Sequence, residues 1–270
     1  RRQGKAAGSR SEGADPIIVH PDVRRMLMDA RAFTEGMRAL VLWTALQIDI
    51  SHASEDEQER RQAEEVVSLL TPVLKGFGTD RGFETAVAMQ QIFGGHGYIA
   101  EWGVEQIVRD ARVPMIYEGA NGVQALDLAG RKLARDGGAV AERFFAMLEA
   151  DCAAASEELG FISDPLREAV ADTRAAGLWL IEAAGRGPNE LGAGSYAFMQ
   201  MMGRVAIGWM WLRMAAISLQ DEGEPFANAK RVTARHFAQS SLAEISSLRK
   251  KVEAGAEALM ALPEEAFAPS

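Results

Sequence analysis

Apolar residues recur at spacings of three and four along most of the chain, and the alternation of a half-buried strand is nearly absent, so the pattern predicts an all-α protein. From Pro21 to about Ile50, the positions Met26, Ala30, Phe33, Met37, Leu40, Thr44 and Ile48 fall on one stripe and predict a long amphipathic helix. The run before it, "GSRSEGADP", has the composition of a mobile segment. The charged cluster "SEDEQERRQAEE" opens a second helix, with acids where the helix dipole favours them. Thr71-Pro72 is expected to bend or restart that helix before it runs on to Phe93, where "GGHG" stops it. A shorter helix is expected over Gly103 to Arg109, and another from Asn121 to Ala134 with Asn121 as its cap. Four more helical stretches follow the "RDGG" break, at roughly 139–158, 165–184, 188–220 and 226–261. Asp164-Pro165 reads as a cap followed by a first helical residue, and "GRGPNE" marks the next boundary. The expected division is one helical unit over 1–135 and a four-helix unit over 136–270.

Composition narrows the function classes. With 270 residues, 48% of them hydrophobic, the chain can fill a sizeable core. A net charge of −9 disfavours the phosphate backbone of nucleic acid as a partner. The single cysteine, Cys152, lies in an alanine-rich run where a small buried side chain is the ordinary reading, so no disulfide framework exists. The most apolar segment, Val205 to Leu219, is too short to span a bilayer and carries Arg213 in its middle, which predicts a buried core helix. In the longer stretch "PNELGAGSYAFMQMMGRVAIGWMWLRMAAISL", the small residues Gly192, Ala193, Gly194, Gly203 and Gly208, set among Tyr196, Phe198, Trp209 and Trp211, suit close helix packing. The chain begins Arg1-Arg2-Gln3 without a hydrophobic leader, is read as part of a longer protein, and is expected in the cytoplasm.

Two stretches carry candidate chemistry. "QIFGGHGYIAEWG" places Gly94, Gly95, Gly97 and Gly103 after a helix, permitting a tight turn and close approach of a ligand or another backbone, but it is not a dinucleotide fingerprint because no strand precedes it. The four histidines, His20, His52, His96 and His236, have no ligand spacing, and no metal is expected. His96 reads equally as a contact residue or a solvated turn histidine. In "VPMIYEGANG", Glu118 follows Pro114, Met115, Ile116 and Tyr117, and a carboxylate lifted out of water there would become a better proton acceptor. A pairing of Glu118 with Arg109 or Arg112 is the commoner alternative for a loop glutamate, and both readings stand at this point.

"QIFGGHGY" followed by "VRDARVPMIYEGANGVQALDLAGRKL" resembles the C-terminal helical domain of the acyl-CoA dehydrogenase family, in which a glutamine-plus-glycines turn precedes an arginine-aspartate pair and a "YEGTxxxQ" loop. The resemblance covers residues 1 to about 135, and the extension beyond resembles the long bacterial subgroup that includes methylthiopropanoyl-CoA dehydrogenases. It implies FAD as cofactor and an acyl-CoA thioester as substrate. Glu118 is then the base that removes the α-proton, and its backbone N–H helps hold the thioester oxygen as negative charge develops there. Tyr117 and Gly119 line the acyl and thioester slot. Gln91, Gly94 and Gly95 match the turn that meets the adenosine diphosphate end of FAD bound by a neighbouring subunit, which makes a homo-oligomer functional, with a dimer favoured. Arg1 matches the arginine that reaches the FAD pyrophosphate, and His20 a flavin-contacting histidine, with the spacing around "RRQG" off by one residue.

The family pattern is not met everywhere. Ala120 stands where many members have a threonine bonded to flavin, and Gly122 replaces a polar residue. Losing one such hydrogen bond weakens FAD binding by roughly 0.5–1.5 kcal/mol. The family's N-terminal helical domain and β-domain are not among these residues, so the resemblance implies that this stretch alone is inactive and binds FAD poorly. An electron-transfer flavoprotein is the implied acceptor. An acyl-CoA oxidase of the same fold, a DNA-binding relative and a helical interaction module are the competing readings.

Overall fold

The computed structural model describes residues 1–221 and 223–268, and the expectation of an all-α protein is met: among them the only strand-like pairing is an isolated bridge between Arg2 and Pro16. Helix α1 spans Pro21–Ala53 and buries Met26, Leu40 and Thr44 of its predicted stripe together with Ala32 and Gly36, while Ala30, Phe33 and Met37 are half-buried and Ile48 is exposed. Helix α2, Glu57–Phe93, is capped by Asp56, whose carboxylate accepts the Gln58 and Glu59 amides at 2.8 and 3.4 Å, and it ends at Gly94 with φ 61°. Helix α3 covers Val104–Arg112 and α4 covers Asn121–Leu126, the latter continuing as a π-helical turn over Asp127–Leu133. Gly137 and Gly138, both at positive φ, then turn the chain.

Helices α5 (Ala139–Ala154), α6 (Gly160–Arg186), α7 (Pro188–Ser218), α8 (Pro225–Ser240), α9 (Ile245–Glu253) and the short α10 (Glu257–Met260) complete the fold. α7 is the central element. It is apolar around nearly its whole circumference, and every residue from Phe198 to Leu212 is buried. Glycines let its neighbours approach closely: a Cβ on Gly203 would lie 2.2 Å from the Phe77 ring, and one on Gly36 of α1 would lie 2.5 Å from Ile207. Trp211 donates its indole N–H to the Ala32 carbonyl at 2.9 Å, and Trp209 donates to Asp151 at 2.6 Å, so both buried indoles are satisfied. Burial pushes the Cys152 thiol up to about 11, which suits an inert core residue.

Several local expectations are corrected by long-range packing. α2 runs unbroken through Pro72, which is buried against the core, and Thr71 turns its hydroxyl back to the Val67 carbonyl at 2.7 Å. α6 starts at Gly160 rather than at Asp164-Pro165: Pro165 lies within the helix, and Asp164 pairs with Arg167 at 3.0 Å instead of capping. The stretch expected as one helix over 226–261 is broken after Ser240 by a 3₁₀ turn at Leu242–Glu244 and again at Gly255, with φ 70°.

The N-terminal segment expected to be mobile is a closed loop. Gln3 and Asp15 exchange backbone hydrogen bonds with their opposite strand positions, Gln3 N–H to Asp15 O at 3.0 Å and Asp15 N–H to Gly4 O at 2.8 Å. The buried Asp15 carboxylate accepts the Ala6 amide and the Ser11 hydroxyl, each at 2.8 Å. The Ala6 N–H, then the Ser9 and Ser11 hydroxyls, hold its carboxyl well down, to about 2. Its folded value lies below the ordinary 3.8, so the contribution to loop stability is present above that value and is lost as pH falls through about 2. Carboxyl-carbon NMR is expected to find Asp15 still ionised at about pH 3, where an ordinary aspartate is mostly protonated; a midpoint near 3.8 would refute the loop closure.

Candidate functional site

The end of α2, the glycine turn, α3 and the loop before α4 meet at one end of the bundle. There Gly94 and Gly95 follow the exposed Gln91, and the Arg1 guanidinium lies 2.7 Å from where a Gly94 Cβ would stand. The structure thus joins Arg1 to the turn, although the two are remote in sequence, and only glycine fits there. His20 donates from Nε2 to the Gln3 carbonyl at 2.8 Å and rests beside Gly4, so it belongs to the closed N-terminal loop. His96 is exposed in the glycine turn, as a solvated turn histidine would be, and packs edge-on against Trp102 with centroids 5.1 Å apart.

Glu118 is the one non-glycine residue with positive φ, 50°, among the described residues. A left-handed glutamate costs about 1–3 kcal/mol and persists only where its surroundings fix it. Gly119 continues the left-handed path at φ 86°. Two side chains hold the turn: Lys75 donates to the Gly119 carbonyl at 2.6 Å, and Gln124 reaches the Glu118 and Gly119 carbonyls at 3.4 Å each. Among the described residues no acceptor takes the Glu118 N–H, and no cation pairs with its carboxylate. Arg112 instead contacts Met115 and the Phe83 ring, which removes the ion-pair alternative.

The expectation of a carboxylate lifted out of water is not met by this chain alone, because Glu118 is exposed. Large apolar side chains of the elements that meet here stand open: Tyr117 is 53% exposed, Tyr98 83%, Trp102 56% and Ile116 55%. Ala120 is the residue before α4 and Gly122 lies in its first turn, with open space where a side chain would project. Exposed large apolar side chains on neighbouring elements suit a surface that a further domain or subunit covers.

Asn121 is not a cap. It is the first residue of α4, 5% exposed, and its side chain turns inward, accepting from Lys75 at 2.9 Å and donating to Gly76 O at 3.0 Å and to Asp80 at 2.6 Å. Asp80, 3% exposed, also accepts from the Tyr196 hydroxyl and from Gln200 at 2.9 Å. Burial, with the Asp80 carboxylate beside it, pushes the Tyr196 phenol up, so it stays a donor. Lys75 and Asp80 escape a reading of the sequence; the available signal was an aspartate, Asp80, on the same face of α2 as Val73 and Phe77.

Residues 3–133 match the family model described as acyl-CoA dehydrogenase, C-terminal domain, and residues 144–263 match that described as acetyl-CoA dehydrogenase C-terminal like. The 3-methylmercaptopropionyl-CoA dehydrogenase of Ruegeria pomeroyi is 39% identical over 269 residues, which take in 96% of this chain and 45% of the relative. The broad-specificity linear acyl-CoA dehydrogenase FadE5 of Mycobacterium tuberculosis is 32% identical over 289 residues, 97% of this chain and 47% of the relative. The chain therefore spans a little under half the length of these relatives. An acyl-CoA dehydrogenase of Bacillus anthracis, solved with FAD, superposes with a TM-score of 0.70 at 19% identity, over 92% of this chain and 44% of that one. ACDH-11 of Caenorhabditis elegans, solved with C11-CoA, gives 0.71 at 18%, over 86% and 38%. At such identities the two structures establish the fold.

Proposed function

Because the chain belongs to the acyl-CoA dehydrogenase family, as its C-terminal helical part, we propose that it carries the base of an FAD-dependent α,β-dehydrogenation of an acyl-CoA thioester. The observation that carries this reading is Glu118: a carboxylate without a cationic partner, presented on a left-handed turn beside a backbone N–H that no protein group accepts among the described residues. The carboxylate takes the α-proton, and the Glu118 N–H polarises the thioester oxygen as the enolate-like charge forms. Bound FAD would supply the two-electron acceptor for the β-hydrogen, leaving as hydride, so that acyl-CoA and FAD would become trans-2-enoyl-CoA and reduced FAD. Tyr117 and Gly119 flank the substrate.

Arg1 with Gly94 and Gly95 supports an FAD contact, since a guanidinium beside a turn open to close approach suits a diphosphate. Gln91, His20, Ala120 and Gly122 complete the cofactor surface in this reading. The exposed apolar end of the bundle would be closed by further domains, and that closure is what would lift Glu118 out of water. The boundary between the two helical parts falls near 135, supported by the left-handed Gly137 and Gly138. A dimer, an electron-transfer flavoprotein as acceptor and a cytoplasmic setting complete the reading, on the strength of the family likeness and the buried, unpaired Cys152. No helix among the described residues is long and apolar enough to cross a membrane.

The test is anaerobic addition of a panel of acyl-CoAs to the full-length flavoprotein. Loss of flavin absorbance with at least one thioester is expected, and no bleaching with any chain length or branching pattern would sink the reading.

A further inference from the structure

We propose that the polar chain from Gly119 through Lys75, Asn121 and Asp80 to Tyr196 and Gln200, buried at Asn121, Asp80 and Gln200, sets the position of the Glu118 turn, so that α7, in the second helical part, supplies positioning residues to the site. This rests on Glu118 being the base.

The chain of contacts is continuous. Lys75 ties the Gly119 carbonyl, at 2.6 Å, to Asn121, at 2.9 Å. Asn121 passes the link to one oxygen of Asp80 at 2.6 Å, and the other Asp80 oxygen takes the Tyr196 hydroxyl and the Gln200 amide. Gln200 in turn accepts from Arg204 at 3.1 Å, and Arg204 pairs with Glu244 in the turn before α9. Asp80, Asn121, Gln200 and Arg204 are all buried.

The physical logic lies in Asp80. Among the described residues no cation pairs with it, so its charge is carried by three hydrogen bonds, two of them from α7. Removing one leaves a buried carboxylate short of a donor, and the two that remain, Asn121 among them, shift to compensate. Asn121 is the first residue of α4 and shares Lys75 with Gly119, so the displacement is felt at the turn. Glu118 sits at φ 50°, and a loosened turn returns it to ordinary backbone with its carboxylate aimed elsewhere. Tyr196 thus acts on the site without touching it. A misplacement of about 1 Å costs a reaction of this kind on the order of 100-fold in rate.

The holoenzyme containing this chain is compared as wild type, Tyr196→Phe, Lys75→Met and Ser195→Ala. The last removes a buried hydrogen bond, to Gly192 O at 2.8 Å, one residue from Tyr196 but off the network. Deuterium uptake over residues 118–124 is expected to rise roughly 10-fold in Tyr196→Phe and more in Lys75→Met, with Ser195→Ala unchanged. Anaerobic flavin reduction is expected to slow in the same order, by roughly 10-fold and 100-fold, while acyl-CoA affinity holds. Unchanged uptake in Tyr196→Phe, or an equal rise in Ser195→Ala, overturns the proposal. A wild type that no acyl-CoA bleaches defeats the dehydrogenase reading instead, and the uptake result still decides the positioning.

Discussion

Glu118→Gln is expected to slow anaerobic flavin reduction by acyl-CoA by about 10²–10⁴-fold in the full-length enzyme, the range associated with losing a positioned base. The substitution keeps side-chain length and the backbone N–H, so thioester binding should persist, and a ligand-induced change in the flavin spectrum would report it. No other carboxylate stands in the loop between α3 and α4: Asp110 lies within α3, where it accepts from Gln106 at 2.7 Å, Glu101 and Glu105 come before it, and Asp127 lies beyond α4. Reduction at the wild-type rate in Glu118→Gln would therefore move the base outside this part of the chain.

The largest effect on stability is expected at Gly203. An alanine Cβ there would lie 2.2, 2.3 and 2.7 Å from three atoms of the Phe77 ring. The ring cannot retreat, because it packs edge-on against Phe33, centroids 6.4 Å apart, and carries the Arg204 guanidinium at 5.6 Å. Overpacking of such a core costs about 1–3 kcal/mol, and the gain in helix propensity on replacing glycine, about 1 kcal/mol, does not reach the upper end. Gly82, in the middle of α2 with nothing within 4 Å of its Cβ position, is the counterpart. Gly82→Ala should stabilise by about 0.5–1 kcal/mol. Denaturant unfolding of the two variants decides the matter: shifts in the same direction would show that the contact at Gly203 is not what constrains it.

What the sequence made legible follows from how local each signal is. The stripe on α1, the Asp56 region opening α2, the glycine stop at Gly94 and the apolar run of α7 are each read from a few neighbouring residues, and the structure agrees with them. The Pro72 and Pro165 expectations were equally local but lost to packing, since burying Pro72 and Leu166 against the core outweighs one missing backbone hydrogen bond in each helix. Asn121 shows the limit most clearly. An asparagine at a helix start looks the same whether it caps the helix or reaches 41 positions back to Asp80, and only the fold distinguishes the two. Glu118 stood out by its setting, yet its left-handed backbone and its unclaimed N–H are not written in residue types.

The way α7 is enclosed has a thermodynamic consequence. Its side chains belong to one core cluster that includes Leu40 of α1, Leu70 and Phe77 of α2, Leu128 beyond α4, Phe144 of α5, Leu180 of α6 and Phe237 of α8. Neither half of the chain can melt without exposing the surface the other half buries. The stretch before 135 and the stretch after it are thus cooperative partners in a single unfolding event, and the extension is as much a part of the foundation as the half that bears the glutamate.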